Sequence, residues 1–144
     1  MADKHARVSW KGDLANGNGT IEEVGSGAFG PLAVSWPART GDESGLTSPE
    51  ELIAAAHAAC FSMALSHGLT EAGTPPKRLD VSATVMFAPG TGITTSALEV
   101  SGVVPGISQV AFEEAAEQAK DNCPVSSSMK GNVEMSVVAR IVSS

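Results

Sequence analysis

The sequence predicts an α+β protein in which three strands precede a long buried helix, and two strands, a second helix and a last strand follow. Three observations indicate this β-β-β-α-β-β-α-β order. The first third consists of short β-forming runs interrupted by glycines. An alanine-rich segment in the middle carries no charge after its first turn. The second half returns to alternating apolar runs around one amphipathic segment. Because the strands do not alternate regularly with helices, α+β is favoured over a doubly wound sheet.

Composition limits the classes of protein to which the chain can belong. Its 144 residues are the length of one domain, so a single domain is predicted over residues 1–144. With 42% hydrophobic residues it is not a disordered chain, and with 4% aromatic residues its core is aliphatic. A net charge of −7 argues against nucleic acid and anionic membranes as partners. The start of the chain lacks a signal-peptide pattern, and the apolar run at 52–66 is short for a bilayer span, so we expect a cytoplasmic protein.

The central helix is predicted over residues 49–67. Ser48 is a preferred N-cap, Pro49 suits the first helical position, and Glu51 completes a capping box. Gly68 is a natural C-terminal cap. Small apolar residues occupy nearly every face, which is typical of a buried helix. A chain of this size has difficulty covering such a helix on all sides, so we expect a second copy of the chain to cover part of it.

The other elements follow from shorter patterns. Strands are predicted at 6–10, 19–24, 32–36, 81–87, 94–104 and 132–142. Ser108 can cap a second helix that stops near 122–124 and is followed by a short turn at 124–130. The apolar face of this helix is predicted at Val110, Ala111, Ala115 and Gln118.

The two cysteines are the first candidates for chemistry. Cys60 lies in the middle of the central helix, where a free cysteine commonly acts as a small hydrophobic residue, and where a thiolate would need a nearby cation. Cys123 precedes Pro124 and is either an inert loop residue or the N-cap of a further helical turn, where N–H groups favour the thiolate. The two can pair only if their Cα atoms approach within about 7 Å, which periodicity does not show.

Three further residues are candidates. His57 shares a helical face with Cys60 and either hydrogen bonds within the core or joins Cys60 and Cys123 in a zinc site. The sequence has no CxxC or HExxH spacing, which favours the core histidine, and no motif indicates a metal or organic cofactor. Glu50 either complements the helix dipole, worth about 0.3–1 kcal/mol, or pairs with Arg39 in the preceding loop and orients it toward a thiolate.

Two motifs resemble those of the OsmC/Ohr family, the osmotically inducible and organic hydroperoxide resistance proteins. Residues 47–66, TSPEELIAAAHAACFSMALS, resemble the family's central helix, and residues 122–126, NCPVS, resemble its second cysteine motif. The opening segments at 9–13 and 17–20 and the turn at 104–107 are similar to the OsmC branch in particular. The resemblance extends over essentially the whole chain.

The resemblance implies an intertwined OsmC-like homodimer that acts as a thiol-dependent peroxidase in defence against oxidative or osmotic stress, with two equivalent sites at the subunit interface. It makes Cys60 the peroxidatic thiolate, Cys123 the resolving thiol, Arg39 the activating cation and Glu50 the carboxylate that holds it. An organic hydroperoxide would be reduced to an alcohol through a Cys60 sulfenic acid and a Cys60–Cys123 disulfide. A dithiol reductant, which the family suggests is a lipoyl protein, would reopen that disulfide.

Two other classes of function stay open at this point. The first is a metal-binding protein that uses His57, Cys60 and Cys123, and it predicts stoichiometric zinc and folding that is sensitive to chelators. The second is a small-molecule binding protein with inert cysteines, in which replacing Cys60 would affect only packing.

Overall fold

The computed structural model describes residues 1–41 and 45–143 and divides the chain into two compact units, Met1–Leu52 and Ile53–Ser144. The first unit carries one three-stranded sheet, and the second carries another three-stranded sheet with helices. This arrangement confirms the α+β class. The single domain over residues 1–144 stays a prediction.

The first unit is built on an antiparallel meander. β1 (Ala6–Lys11) pairs with β2 (Asn18–Val24), and β2 pairs with β3 (Leu32–Val34). Gly19 is buried where the three strands meet, and a Cβ at this position would lie 2.7 Å from the Trp10 ring. Only glycine permits that approach, which explains one of the glycines that interrupt the first third of the sequence.

The third strand ends earlier than the sequence predicts. Ser35 caps a short helix, α1 (Trp36–Thr40), and its hydroxyl accepts a hydrogen bond from a first-turn N–H at 3.1 Å. The predicted strand at 32–36 was wrong at its end, because Pro37 fits the first turn of a helix as well as the end of a strand. Arg39 therefore lies on a helix and not in a loop.

The central helix, α2 (Pro49–Glu71), begins where it was predicted. The Ser48 hydroxyl accepts a hydrogen bond from the Glu51 N–H at 3.2 Å, as an N-cap does. The Glu51 carboxylate accepts a hydrogen bond from the Thr47 hydroxyl at 3.2 Å. Of the predicted capping box, the hydrogen bond that the Ser48 hydroxyl accepts is formed, and the Glu51 carboxylate accepts from Thr47.

The end of α2 differs from the prediction. The helix continues through Gly68 because Leu69 is needed in the core, where it is only 1% exposed. The helix ends at Glu71, and the chain turns away at Gly73, whose φ of +86° is a left-handed conformation that favours glycine. The Thr74 N–H then bonds back to the Leu69 carbonyl at 2.9 Å and closes the last turn.

The second unit contains the mixed sheet. β4 (Arg78–Ala88) pairs antiparallel with β5 (Gly92–Val103), and β6 (Glu134–Ile141) pairs parallel with β5. The connection from β5 to β6 runs through α3 (Gln109–Asn122) and α4 (Pro124–Met129). The parallel pairing follows from this helical crossover, because a tight hairpin cannot join parallel strands. The predicted turn at 124–130 is wrong, since most of it forms α4.

One apolar core fills the second unit, between α2, α3 and the sheet. Its largest fully buried members are aromatic and aliphatic side chains from these three elements: Phe61, Leu65, Leu69, Leu98, Val100 and Phe112. From α3 the buried residues are Phe112, Ala116 and Ala119, and Val110 is 63% exposed. The core face predicted for α3 was partly correct, since Ala115 packs against the core, but it included the exposed Val110 and omitted Phe112, whose ring is fully buried.

Helix α2 keeps an uncovered face. In the described part of the chain it is the one helix that could cross a membrane by length and composition, yet only 22% of its most apolar stretch is buried. Ala55, Ala56 and Ala59 are exposed, and Met63 is 73% exposed. Burial on all sides, as the sequence predicted, does not occur within one copy of the chain.

Candidate thiol site

The two cysteines are neighbours in the second unit, although they are distant in the sequence. Cys60 lies in the middle of α2, and Cys123 lies between α3 and α4. Both are free thiols, and the Cys60 thiol interacts with the Cys123 sulfur as a hydrogen-bond donor. Cys123 is fully buried, whereas Cys60 is partly exposed. A molecule arriving from solvent therefore reaches Cys60 first.

Cys123 is the N-cap of α4, with Pro124 in the first turn. The sulfur makes no conventional cap hydrogen bond, but the N–H and hydroxyl of Ser126 and the N–H of Val125 face it. Burial alone would raise the pKa of Cys123, but these donors and the Cys60 thiol outweigh burial and lower that pKa. Of the two alternatives for Cys123, the N-cap of a helical turn is the one that forms.

The pKa of Cys60 is shifted in the opposite direction to that of Cys123. Burial raises the pKa of the Cys60 thiol, and the hydrogen bond to Cys123 and the charge there raise it further. The Val125 N–H acts in the other direction and is outweighed. Cys123 is therefore the more acidic of the two thiols, and a Cys60 thiolate would require additional stabilisation.

His57 is fully buried and linked to two serines on other elements. Its Nδ1 lies 2.6 Å from Ser96 Oγ on β5, and its Nε2 lies 2.8 Å from Ser126 Oγ on α4. Burial lowers the pKa of His57, so the ring is neutral near pH 7. Both ring nitrogens are used by hydroxyls, which supports a core histidine over a zinc ligand. Over residues 1–41 and 45–143, no three His, Cys, Asp or Glu side chains are grouped to hold a metal.

The serines that contact His57 were not predicted from the sequence. Ser126 stands three residues after the N-cap Cys123, the position from which a capping box reaches back to the cap, and this spacing could have indicated it. Ser96 carries no comparable signal, because it is one of several small polar residues along β5. It is distinguished only by its complete burial.

Arg39 and Glu50 form an ion pair in the first unit. Both Nε and Nη2 of Arg39 lie 2.8 Å from Glu50 Oε1. The Glu50 side chain is 7% exposed and that of Arg39 is 32% exposed. The guanidinium also lies 5.9 Å from the centroid of the Trp36 ring, a cation–π distance. Among the described residues, Glu50 Oε2 is buried without a hydrogen-bond partner. Of the two alternatives for Glu50, the pair with Arg39 is the one that forms, and its part in catalysis stays a prediction.

The second unit defines a class of protein: an α+β protein with a dithiol site, in which a partly exposed cysteine contacts a buried one. Such a pair can alternate between two thiols and a disulfide. The chain belongs to the OsmC-like protein family, whose profile matches residues 41–138. It is 41% identical over 135 residues to the peroxiredoxin OsmC of Escherichia coli strain K12, and the alignment covers 92% of this chain and 93% of that protein.

Solved structures of the same family share the fold. An organic hydroperoxide resistance protein OsmC from Legionella pneumophila matches with a TM-score of 0.66 and 25% identity, over 94% of this chain and 96% of that one. The organic hydroperoxide resistance protein OhrB of Bacillus subtilis matches with a TM-score of 0.64 and 26% identity, over 94% and 98% of the two chains. The predicted family and fold class are confirmed, and the predicted class of enzyme, a peroxidase, agrees with these names.

Proposed function

We propose that this chain reduces organic hydroperoxides to alcohols, with Cys60 as the peroxidatic and Cys123 as the resolving residue, in defence against oxidative or osmotic stress. The observation that carries the proposal is the contact between a partly exposed and a buried cysteine within one unit. Relatives named peroxiredoxin and organic hydroperoxide resistance protein support the same activity.

The chemistry has two steps, and each uses a thiolate. The Cys60 thiol loses its proton to solvent, and the Cys60 thiolate attacks the distal oxygen of the hydroperoxide. An S–O bond forms, the O–O bond breaks, and the leaving alkoxide takes a proton from solvent to become an alcohol. The Cys123 thiolate then attacks the sulfur of the Cys60 sulfenic acid. The S–O bond breaks, and the departing hydroxide takes a proton from solvent to form water.

Arg39 is the proposed source of the positive charge that Cys60 requires. The raised pKa of Cys60, which burial causes, is the reason a cation is needed. An arginine suits a partly desolvated place, because it stays protonated there. Glu50 holds the guanidinium through two contacts of 2.8 Å to a single carboxylate oxygen, which fixes its direction.

A second copy of the chain is the proposed cover for the exposed face of α2. The exposed Ala55, Ala56 and Ala59 are small enough for close helix approach, and Met63 adds a large apolar side chain that is 73% exposed. Two equivalent thiol sites at the subunit interface would result. A Met63→Glu variant should weaken the dimer in sedimentation velocity measurements, and a wild-type chain that sediments as a monomer at micromolar concentration would refute this part of the proposal.

The reductant is proposed to be a dithiol, of which a lipoyl group on a protein is one example, acting in the cytoplasm. An external dithiol attacks the Cys60–Cys123 disulfide, leaves as its own disulfide and restores both thiols. In a reducing compartment the protein disulfide is then transient and catalytic.

Intact mass and thiol titration test the mechanism. Reduced protein is treated with one equivalent of cumene hydroperoxide, and we expect the loss of two hydrogens and of both thiols in each chain. Cys60→Ser should consume no peroxide. Its matched control, Cys123→Ser, should consume one equivalent and stop at a sulfenic or overoxidised species. Equal multiple turnover by both variants would refute the mechanism, and two unchanged thiols in the folded wild type would favour a binding protein with inert cysteines.

A further inference from the structure

A buried row of polar groups connects β5 to the resolving cysteine. Ser96 Oγ lies 2.6 Å from His57 Nδ1, and Ser126 Oγ lies 2.8 Å from His57 Nε2. Ser126 then faces the sulfur of Cys123 from the third position of α4. All four residues belong to the second unit, and none is more than 1% exposed. The disulfide chemistry proposed above gives no role to His57, Ser96 or Ser126.

The partners of these groups determine the direction of the hydrogen bonds. A neutral histidine carries one N–H, and a serine hydroxyl donates one hydrogen. If the Ser126 hydroxyl donates to the Cys123 sulfur, it must accept from Nε2–H of His57, and Nδ1 then accepts from the Ser96 hydroxyl. Every hydrogen in the row has an acceptor. In the reverse direction the buried Ser96 hydrogen has no acceptor among the described residues, and the sulfur loses a donor.

We propose, on the basis of the peroxidase mechanism above, that His57 is a positioning residue for the resolving step, because it holds the Ser126 hydroxyl in the orientation that donates to the Cys123 sulfur. A neutral ring that donates from Nε2 makes the Ser126 hydroxyl a better donor, since hydrogen bonds in series strengthen one another. His57 gives up no proton in this role. Cys123 attacks the sulfenic sulfur as a thiolate, and hydroxide leaves toward solvent.

The role is specific to one of the two chemical steps. His57 and Ser126 act on Cys123, so their loss should slow disulfide formation and leave the first attack on the hydroperoxide nearly unchanged. A residue that only supports packing would affect both steps together.

Spectroscopic titration of Cys123 tests the orientation without any peroxide. In a Cys60→Ser background, the thiolate absorbance near 240 nm reports Cys123 alone, even though it is buried. Ser126→Ala should lower the fraction of thiolate about tenfold at pH values below the transition, because one hydrogen bond to a charged sulfur is lost. Ser96→Ala is the matched control, since each serine variant leaves one ring nitrogen of His57 without its partner. A merely structural role predicts the same titration curve for both variants, and that result would overturn the proposal.

The lifetime of the sulfenic acid tests the consequence for resolution. With both cysteines present, Ser126→Ala and His57→Leu should prolong the interval in which dimedone traps Cys60 after one equivalent of cumene hydroperoxide. His57→Gln, whose amide can donate to Ser126, should form the disulfide faster than His57→Leu. If Ser126→Ala does not fold, the comparison of these two His57 variants takes its place. Equal lifetimes in wild type and in folded His57→Leu would refute the role of His57. If wild type forms neither sulfenic acid nor disulfide, the proposed function fails, and the titration still decides the orientation.

Discussion

The Arg39–Glu50 pair should contribute measurably to the stability of the chain. Arg39→Ala leaves the Glu50 carboxylate only 7% exposed and without its cation. Breaking a fully buried pair in this way costs about 3–5 kcal/mol. Because the Arg39 side chain is 32% exposed and therefore partly hydrated, we expect a loss of about 2–4 kcal/mol. Glu50→Gln should cost less, about 1–2 kcal/mol, because an amide oxygen still accepts from Arg39 and the guanidinium is partly hydrated.

A double-mutant cycle in urea separates the pair from its surroundings. Wild type, Arg39→Ala, Glu50→Gln and the double variant are unfolded at one protein concentration, and the coupling energy should be about 2 kcal/mol. The exposed pair of Arg7 and Glu23, at 3.4 Å with both side chains 57% exposed, is the control, and its coupling should stay below about 1 kcal/mol. If the two coupling energies are equal, the argument from the burial of Glu50 is wrong.

Three further predictions follow from the core, a helix end and a titratable group. A Cβ at Gly102 would lie 2.6 Å from the Phe112 ring, so Gly102→Ala should lose about 1–3 kcal/mol in urea unfolding, and Phe112→Leu should recover part of it. Gly73→Ala should lose about 1 kcal/mol in the same measurement because of the φ of +86°, and an unchanged midpoint would contradict this conformation. In the unfolded chain a histidine gains a proton below about pH 6.5, whereas in the folded chain burial lowers the pKa of His57 below that value. The free energy of unfolding should therefore fall as pH decreases through this range, and His57→Gln should lose that part of the slope.

Local chemistry made the start of α2 predictable, and long-range packing determined its end. Ser48 and Pro49 specify a helix start through their own hydrogen-bonding and backbone preferences. The helix continues past Gly68 because Leu69 completes the core, a contact that no local pattern contains. The same distinction explains α3, whose start at Ser108 was predicted correctly and whose buried face was predicted only in part.

Most residues of the candidate site could be predicted individually from the sequence, but which of them lie next to one another could not. Sequence spacing could not bring Cys60 to Cys123, and the family resemblance supplied that pairing. Ser96, which contacts His57, was not recognised because a sequence does not distinguish a buried hydroxyl from an exposed one, whereas the spacing of Ser126 from Cys123 carried a signal. Glu50 was weighed as a dipole partner and as a partner of Arg39, and only the fold could decide between these.

Exposure, and not acidity, is what separates the two cysteines under the proposed mechanism. The pKa of Cys123 is lowered, but Cys123 is fully buried, so no peroxide reaches it. Cys60 is reachable, but burial raises the pKa of its thiol. The first attack therefore requires a cation that stabilises the Cys60 thiolate, and the proposal assigns this part to Arg39. The donors around Cys123 favour its thiolate, which is the form that resolution needs.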